Sequence, residues 1–138
     1  FFDDIEINYR LSKEGYKFLY CPEAKIWHRL EESFLDFYRH MIKYGGGAAK
    51  MTKYYKRIPR LYVHLSVSYL LYTLALIPLL FWSRIFILPY TLVLLLATAV
   101  FVENRKKTKS LISLWVYPLV FGHPLMYGWG FIREMLRK

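Results

Sequence analysis

The sequence is poor in cysteine and in acid, and each shortage closes off a class of protein. Cys21 is the single cysteine among 138 residues, which excludes a disulfide framework and a thiolate metal cluster. Ten Asp and Glu stand against twenty Lys and Arg, for a net charge of +10. Between Phe37 and Arg60 there are seven Lys or Arg and no acid. The sequence also contains no Asp-x-Asp pair, internal repeat, low-complexity tract or signal-peptide pattern. It opens Phe1-Phe2-Asp3-Asp4 without Met, so the expectation is the C-terminal part of a longer protein.

What the chain has in excess is apolar length. Two runs, residues 61–82 and 85–102, are separated by only Ser83-Arg84 and contain no acid and no lysine. As helices they measure about 33 and 27 Å, against a hydrocarbon core of roughly 30 Å. A soluble core helix of such length normally keeps a polar face, so the reading is a tight transmembrane hairpin. The basic stretch before it and Arg105, Lys106, Lys107 and Lys109 after it then share one side, which charge bias makes cytoplasmic. Such a collar suits topology and anionic headgroups rather than nucleic acid.

Around the hairpin the chain divides into 1–32, a basic region 33–60, and a membrane region 61–138. Asp3 to Glu14 reads as a helix with an Asp3/Glu6 capping pattern, stopped by Gly15. Lys17–Tyr20 and Lys25–Arg29 read as short strands. Ser33 with Asp36 caps an amphipathic interfacial helix bearing Phe34, Phe37, Tyr38, Met41 and Ile42. Gly45-Gly46-Gly47 should end that helix, and 48–57 should resume as a second, basic one. Residues 103–110 read as a loop. A third apolar segment, 111–132, is broken at Gly122-His123-Pro124, Gly128 and Gly130. Its length suits a third span; its terminal Arg133, Arg137 and Lys138 suit a re-entrant segment returning to the cytoplasmic face.

Paired acids at a helix start, Asp3 and Asp4, are ordinary caps by composition alone. Their context says more. Asp3-Asp4-Ile5-Glu6-Ile7-Asn8-Tyr9-Arg10-Leu11, then Glu14-Gly15-Tyr16-Lys17, then Tyr20-Cys21-Pro22-Glu23-Ala24-Lys25-Ile26-Trp27-His28, resembles the end of the catalytic domain in family 2 glycosyltransferases. That resemblance implies the last portion of a GT-A, Rossmann-like α/β domain. It also implies an inverting transferase that uses a nucleotide-sugar donor. Asp4 would be the general base that takes the acceptor hydroxyl's proton during attack on the anomeric carbon, with Asp3 in support. Mg²⁺ or Mn²⁺ would be bound mostly by residues upstream, and His28 would be a metal or diphosphate ligand unless it is merely packed.

His40-Met41-Ile42-Lys43-Tyr44 stands where family members carry Gln-x-x-Arg-Trp. The resemblance gives His40, Lys43 and Tyr44 contact with the donor diphosphate and the acceptor sugar. Otherwise they pack the helix and face headgroups. Lys43 would oppose a diphosphate as a point charge, without the fork of Arg. Tyr44-Gly45-Gly46-Gly47-Ala48-Ala49 and His123-Pro124-x-x-Tyr127-Gly128-x-Gly130 resemble the succinoglycan-biosynthesis-like branch. The expectation is therefore a mainly α, multi-pass membrane protein. It would move a sugar on the cytoplasmic face to a lipid-linked or saccharide acceptor, as a piece inactive alone. The alternative is a non-catalytic anchor whose basic collar docks a partner or anionic lipid.

Overall fold

A computed structural model describes residues 3–27, 33–56 and 61–137. Five helices follow in order: α1 (Asp3–Lys13), α2 (Phe34–Tyr55), α3 (Leu61–Trp82), α4 (Leu88–Thr108) and α5 (Val116–Leu136). Short 3-10 turns, Arg84–Ile87 and Leu111–Trp115, lead into α4 and α5. Among the described residues there is no strand.

That last point corrects the strands expected at 17–20 and 25–29. Residues 16–27 run irregularly, with one turn in which the Ala24 amide donates to the Cys21 carbonyl at 3.2 Å. A strand holds its backbone groups only through a neighbour's ladder, and among the described residues no second strand lies alongside. Residues 28 and 29 fall outside the described residues. The α1 stop is as expected: Gly15 takes φ +86°, and the Gly15 and Tyr16 amides reach back to the carbonyls of Ser12 (3.2 Å) and Leu11 (3.0 Å).

The centre of the fold is α5, which packs against α2, α3 and α4. The α2–α5 contact is the closest, and it overturns the expected glycine stop. A Cβ on Gly45 would lie 2.0 Å from the Tyr127 carbonyl oxygen, and one on Gly130 would lie 2.1 Å from that of Ile42. Glycine in a helix interior costs about 1 kcal/mol. Here it lets two backbones touch, and the packing offsets that cost. α2 therefore runs unbroken from Phe34 to Tyr55, with Gly45 to Ala49 buried. Gly128 brings α3 nearly as close, where a Cβ would meet the Ser66 carbonyl oxygen at 2.6 Å.

α5 likewise runs through Gly122-His123-Pro124 without interruption, contrary to the expected break. Pro124 removes one amide from the ladder. Tyr38 stacks onto the bare Gly122 surface, and its hydroxyl donates to the Pro118 carbonyl at 2.6 Å. Phe34 stacks on Trp115 at 3.6 Å, so α2 and α5 run side by side in the same direction, from this pair to Lys53 and Arg137.

α3 has the predicted bounds, while α4 extends past 102 through the expected loop. Glu103 and Lys107 pair at 2.6 Å one turn apart, and Arg105, Lys106 and Lys107 complement the carbonyl end of the helix. Lys109 closes it in the left-handed conformation (φ 52°). Both apolar helices are long and apolar enough to cross a membrane, which points to membrane association; among the described residues they are the two that qualify. Their backbones stand apart and meet through tyrosines. Tyr72 donates to the Phe86 carbonyl, Thr73 bonds the Tyr90 hydroxyl, and Tyr90 stacks on Phe121 of α5 at 6.2 Å.

Candidate functional site

The expected site residues fall into two groups. Asp3 and Asp4 open α1, and their side chains lie outside the described residues. The rest of α1 is pinned to the far end of α2. The Tyr55 hydroxyl donates to the Glu6 carboxylate, which also meets Arg10 Nε at 2.8 Å. Tyr9 meets the Tyr55 ring edge-on at 5.0 Å. The Glu6 carboxylate that accepts the Tyr55 proton holds that phenol above its ordinary pKa. His28 lies outside the described residues.

His40, Lys43 and Tyr44 share one turn of α2. The His40 ring stacks on Tyr44, with centroids 5.7 Å apart and planes 23° apart. His40 is half-buried, whereas Lys43 and Tyr44 are exposed. The opposite side of the same helix carries Gly45, locked against α5. A cation and an aromatic ring are thus presented from a rigid rail, an arrangement able to oppose a phosphate and stack on a sugar face. Tyr55, where α1 docks, is eleven residues beyond Tyr44, about 16 Å along the axis. The structure brings His40 to Tyr44; it does not bring α1's described side chains to them.

Other side chains set this rail, Lys53 with no signal in the sequence and Ser33 with one. Lys53 Nζ donates to the Glu134 and Arg137 carbonyls at 2.6 and 2.5 Å, so α2 closes the C-terminal end of α5. At the other end Ser33 Oγ accepts from the Asp36 amide at 3.1 Å and donates to its carboxylate at 2.6 Å, the cap that was expected. That hydroxyl, helped by Arg39 at 3.2 Å, holds the Asp36 carboxyl below its ordinary pKa. A lysine six residues beyond a glycine cluster carries no pattern in the sequence. The repeated small residues did carry one, since such residues mark close helix contacts.

Among the described residues, no three His, Cys, Asp or Glu side chains gather as a metal site.

A family model described as glycosyl transferase family group 2 matches residues 2–133. The match runs over nearly the whole chain, α1 through α5. The chain belongs to this family of glycosyltransferases. Its work is glycosyl transfer, with a nucleotide-sugar donor and an acceptor as the family's general substrates. No curated protein and no solved structure gives a significant match.

Proposed function

We propose that this chain is the membrane-proximal part of an inverting glycosyltransferase that passes a sugar from its nucleotide donor to a lipid-linked or membrane-proximal acceptor on the cytoplasmic face. The observation that carries the reading is the α2 rail. One side of the helix is locked to α5 through Gly45, and the other presents Lys43 and Tyr44 outward beside His40. A diphosphate leaving group needs a cation held in place, because freezing a mobile lysine at the moment of reaction costs side-chain entropy. The reading gives Lys43 to the diphosphate and Tyr44 to the acceptor sugar.

In this reading residues 1–32 end the α/β catalytic part. The outward Phe18, Leu19, Tyr20, Ile26 and Trp27 support it, being apolar surface that a sheet could cover. The two motifs that resemble the succinoglycan-like branch are the ones that interlock, Gly45 with Tyr127 and Gly130 with Ile42. That pairing supports placing the chain in that branch.

Asp4 acts as general base, removing the acceptor's proton as its oxygen attacks, and Asp3 assists. The test is Asp4→Asn in the full-length protein, assayed with a panel of labelled nucleotide sugars and membrane lipid extract. Asn caps a helix about as well as Asp, so stability is expected to hold. Transfer is expected to fall on the order of 10²–10⁴-fold with donor binding retained. Near-parental turnover would remove Asp4 from the reaction.

A further inference from the structure

We propose that the corner where α4 hands over to α5 is a binding site for the phosphate of an anionic phospholipid headgroup. The corner holds Arg105, Lys106 and Lys109 within one helical turn, at the end of a helix apolar enough to cross a membrane. Two nearby acids, one on α4 and one at the start of α2, whose Phe34 stacks on Trp115, are already engaged. Glu103 is paired with Lys107 at 2.6 Å, and Asp36, on the first turn of α2, is bound to Ser33 and Arg39. Among the described residues Arg105, Lys106 and Lys109 have no carboxylate partner.

Arg105 is the least ordinary of the three. It is half-buried, and its Nη1 is shielded from solvent without an acceptor among the described residues. A guanidinium nitrogen shielded from water without an acceptor has a strong reason to meet an oxyanion. Thr108 Oγ1 and Ser113 Oγ, 3.2 Å apart, tie the end of α4 to the turn that follows. That tie keeps the corner closed.

The surroundings select lipid over a soluble anion. Leu114 and Trp115 follow at once in the chain, both about half exposed, with Trp115 stacked on Phe34 of α2. Exposed Trp beside Leu and a Lys/Arg cluster is the composition of a membrane interface, where the ring sits at headgroup depth and the cations meet phosphate. A soluble phosphate would gain nothing from Leu114. The site involves none of the residues assigned to transfer, so it stands or falls apart from that reading.

The test uses the full-length protein in phosphatidylcholine nanodiscs. Trp115 fluorescence is obtained by difference from a Trp115→Phe variant, with brominated phosphatidylglycerol or brominated phosphatidylcholine as quencher. Quenching by the anionic lipid is expected to be severalfold stronger at equal mole fraction. Each basic residue near the surface contributes about fivefold in local lipid enrichment, so the triple variant Arg105→Gln, Lys106→Gln, Lys109→Gln is expected to abolish the preference. Arg105→Lys should keep most of it, and Arg84→Gln, at the other end of α4, should keep all of it. Equal quenching by the two lipids overturns the proposal, and so does a preference that survives in the triple variant. Displacement by inorganic phosphate would assign the corner to a soluble anion, and displacement by single-stranded DNA to nucleic acid; either also overturns it. The wild-type comparison decides even if the triple variant does not fold.

Discussion

In α2 seven residues are buried, five of them the run Gly45 to Ala49; in α4, one of the two helices apolar enough to cross a membrane, Ala97 alone is buried among the described residues. Leu92, Leu94, Leu95 and Leu96 of α4 and Leu71, Leu74 and Ile77 of α3 all point outward. In water that order is upside down, because large apolar side chains leave the surface first. With lipid as the solvent it is ordinary. Lipid tails are as apolar as leucine, so leucine gains nothing by turning inward. What then joins helices is close backbone approach and hydrogen bonding. The molecule provides both, through Gly45, Gly128 and Gly130 and through the hydroxyls of Tyr72, Thr73 and Tyr127. The helices that look weakest in sequence form the tightest contact.

The most direct way to break this contrast is to put methyl groups between the two backbones. In the double variant Gly45→Ala, Gly130→Ala each new Cβ would sit about 2 Å from a carbonyl oxygen of the partner helix. Backbone cannot move aside as a side-chain tip can, so α2 and α5 must separate. Overpacking costs 1–3 kcal/mol per site in ordinary cores, and the two together are expected to exceed about 3 kcal/mol. Gly46→Ala is the control. Its Cβ would find neighbours only at 3.8 Å, so the variant should be neutral or gain about 0.5–1 kcal/mol from helix propensity. Thermal unfolding in detergent separates the two. Equal melting temperatures for the double and single variants would mean the interlock does not hold.

The outer helices give the complementary test. Leu95 lies near the middle of α4 and faces out. On a water-exposed surface Leu95→Arg would change little. At the centre of a spanning helix it is expected to cost about 2.5–3.5 kcal/mol of insertion. An insertion assay that scores the glycosylation of flanking sites reads this directly. Unchanged insertion would take α4 out of the membrane and undo the inversion of burial.

How much of this was open to sequence reading follows from the same contrast. Features governed by nearby residues were legible. Examples are the bounds of α3, the Ser33/Asp36 cap, and the Gly15 stop, whose φ of +86° is glycine's own territory. Features that depend on a distant partner were not. Gly45-Gly46-Gly47 and Gly122-His123-Pro124 look like punctuation until Tyr127 and Tyr38 are set against them. The strands at 17–20 and 25–29 erred in the opposite direction, since alternation cannot supply a ladder partner. For the candidate site, His40, Lys43 and Tyr44 were singled out by their resemblance to the family's Gln-x-x-Arg-Trp, and helical spacing then puts them on one turn. The fixing of that turn's helix to α5 through Lys53 was not legible, because 81 residues separate that lysine from Glu134.

Lys53 offers a smaller test of that fixing. Its ammonium meets two carbonyls at the end of α5, where a cation also complements the helix dipole. Lys53→Met keeps the stem and removes the charge. The expected loss is about 1 kcal/mol or less, read as a modest fall in melting temperature, with Lys53→Arg restoring part of it. If Lys53→Met melts with the parent, α5 is closed by other means.

The smallest effect is expected at the opposite end of the rail, and it has a definite sign. The Ser33 hydroxyl, and after it Arg39, favour the charged form of Asp36 in the folded protein. Its folded pKa therefore lies below the value of the unfolded chain. For a depressed carboxyl the contribution to stability is fully present above the unfolded pKa. It is lost as pH falls through the folded one. The side chain is exposed, so solvent screens the interaction and the effect is slight. The comparison is between the parent and Asp36→Asn, melted across a pH series. Above the usual carboxylate range the parent should hold a small, constant advantage. That advantage should shrink on acidification and vanish once Asp36 is protonated. A difference that grows as pH falls would show that Asp36 is strained in its charged form, and that the first turn of α2 is held by Phe34 against Trp115 instead of by its cap.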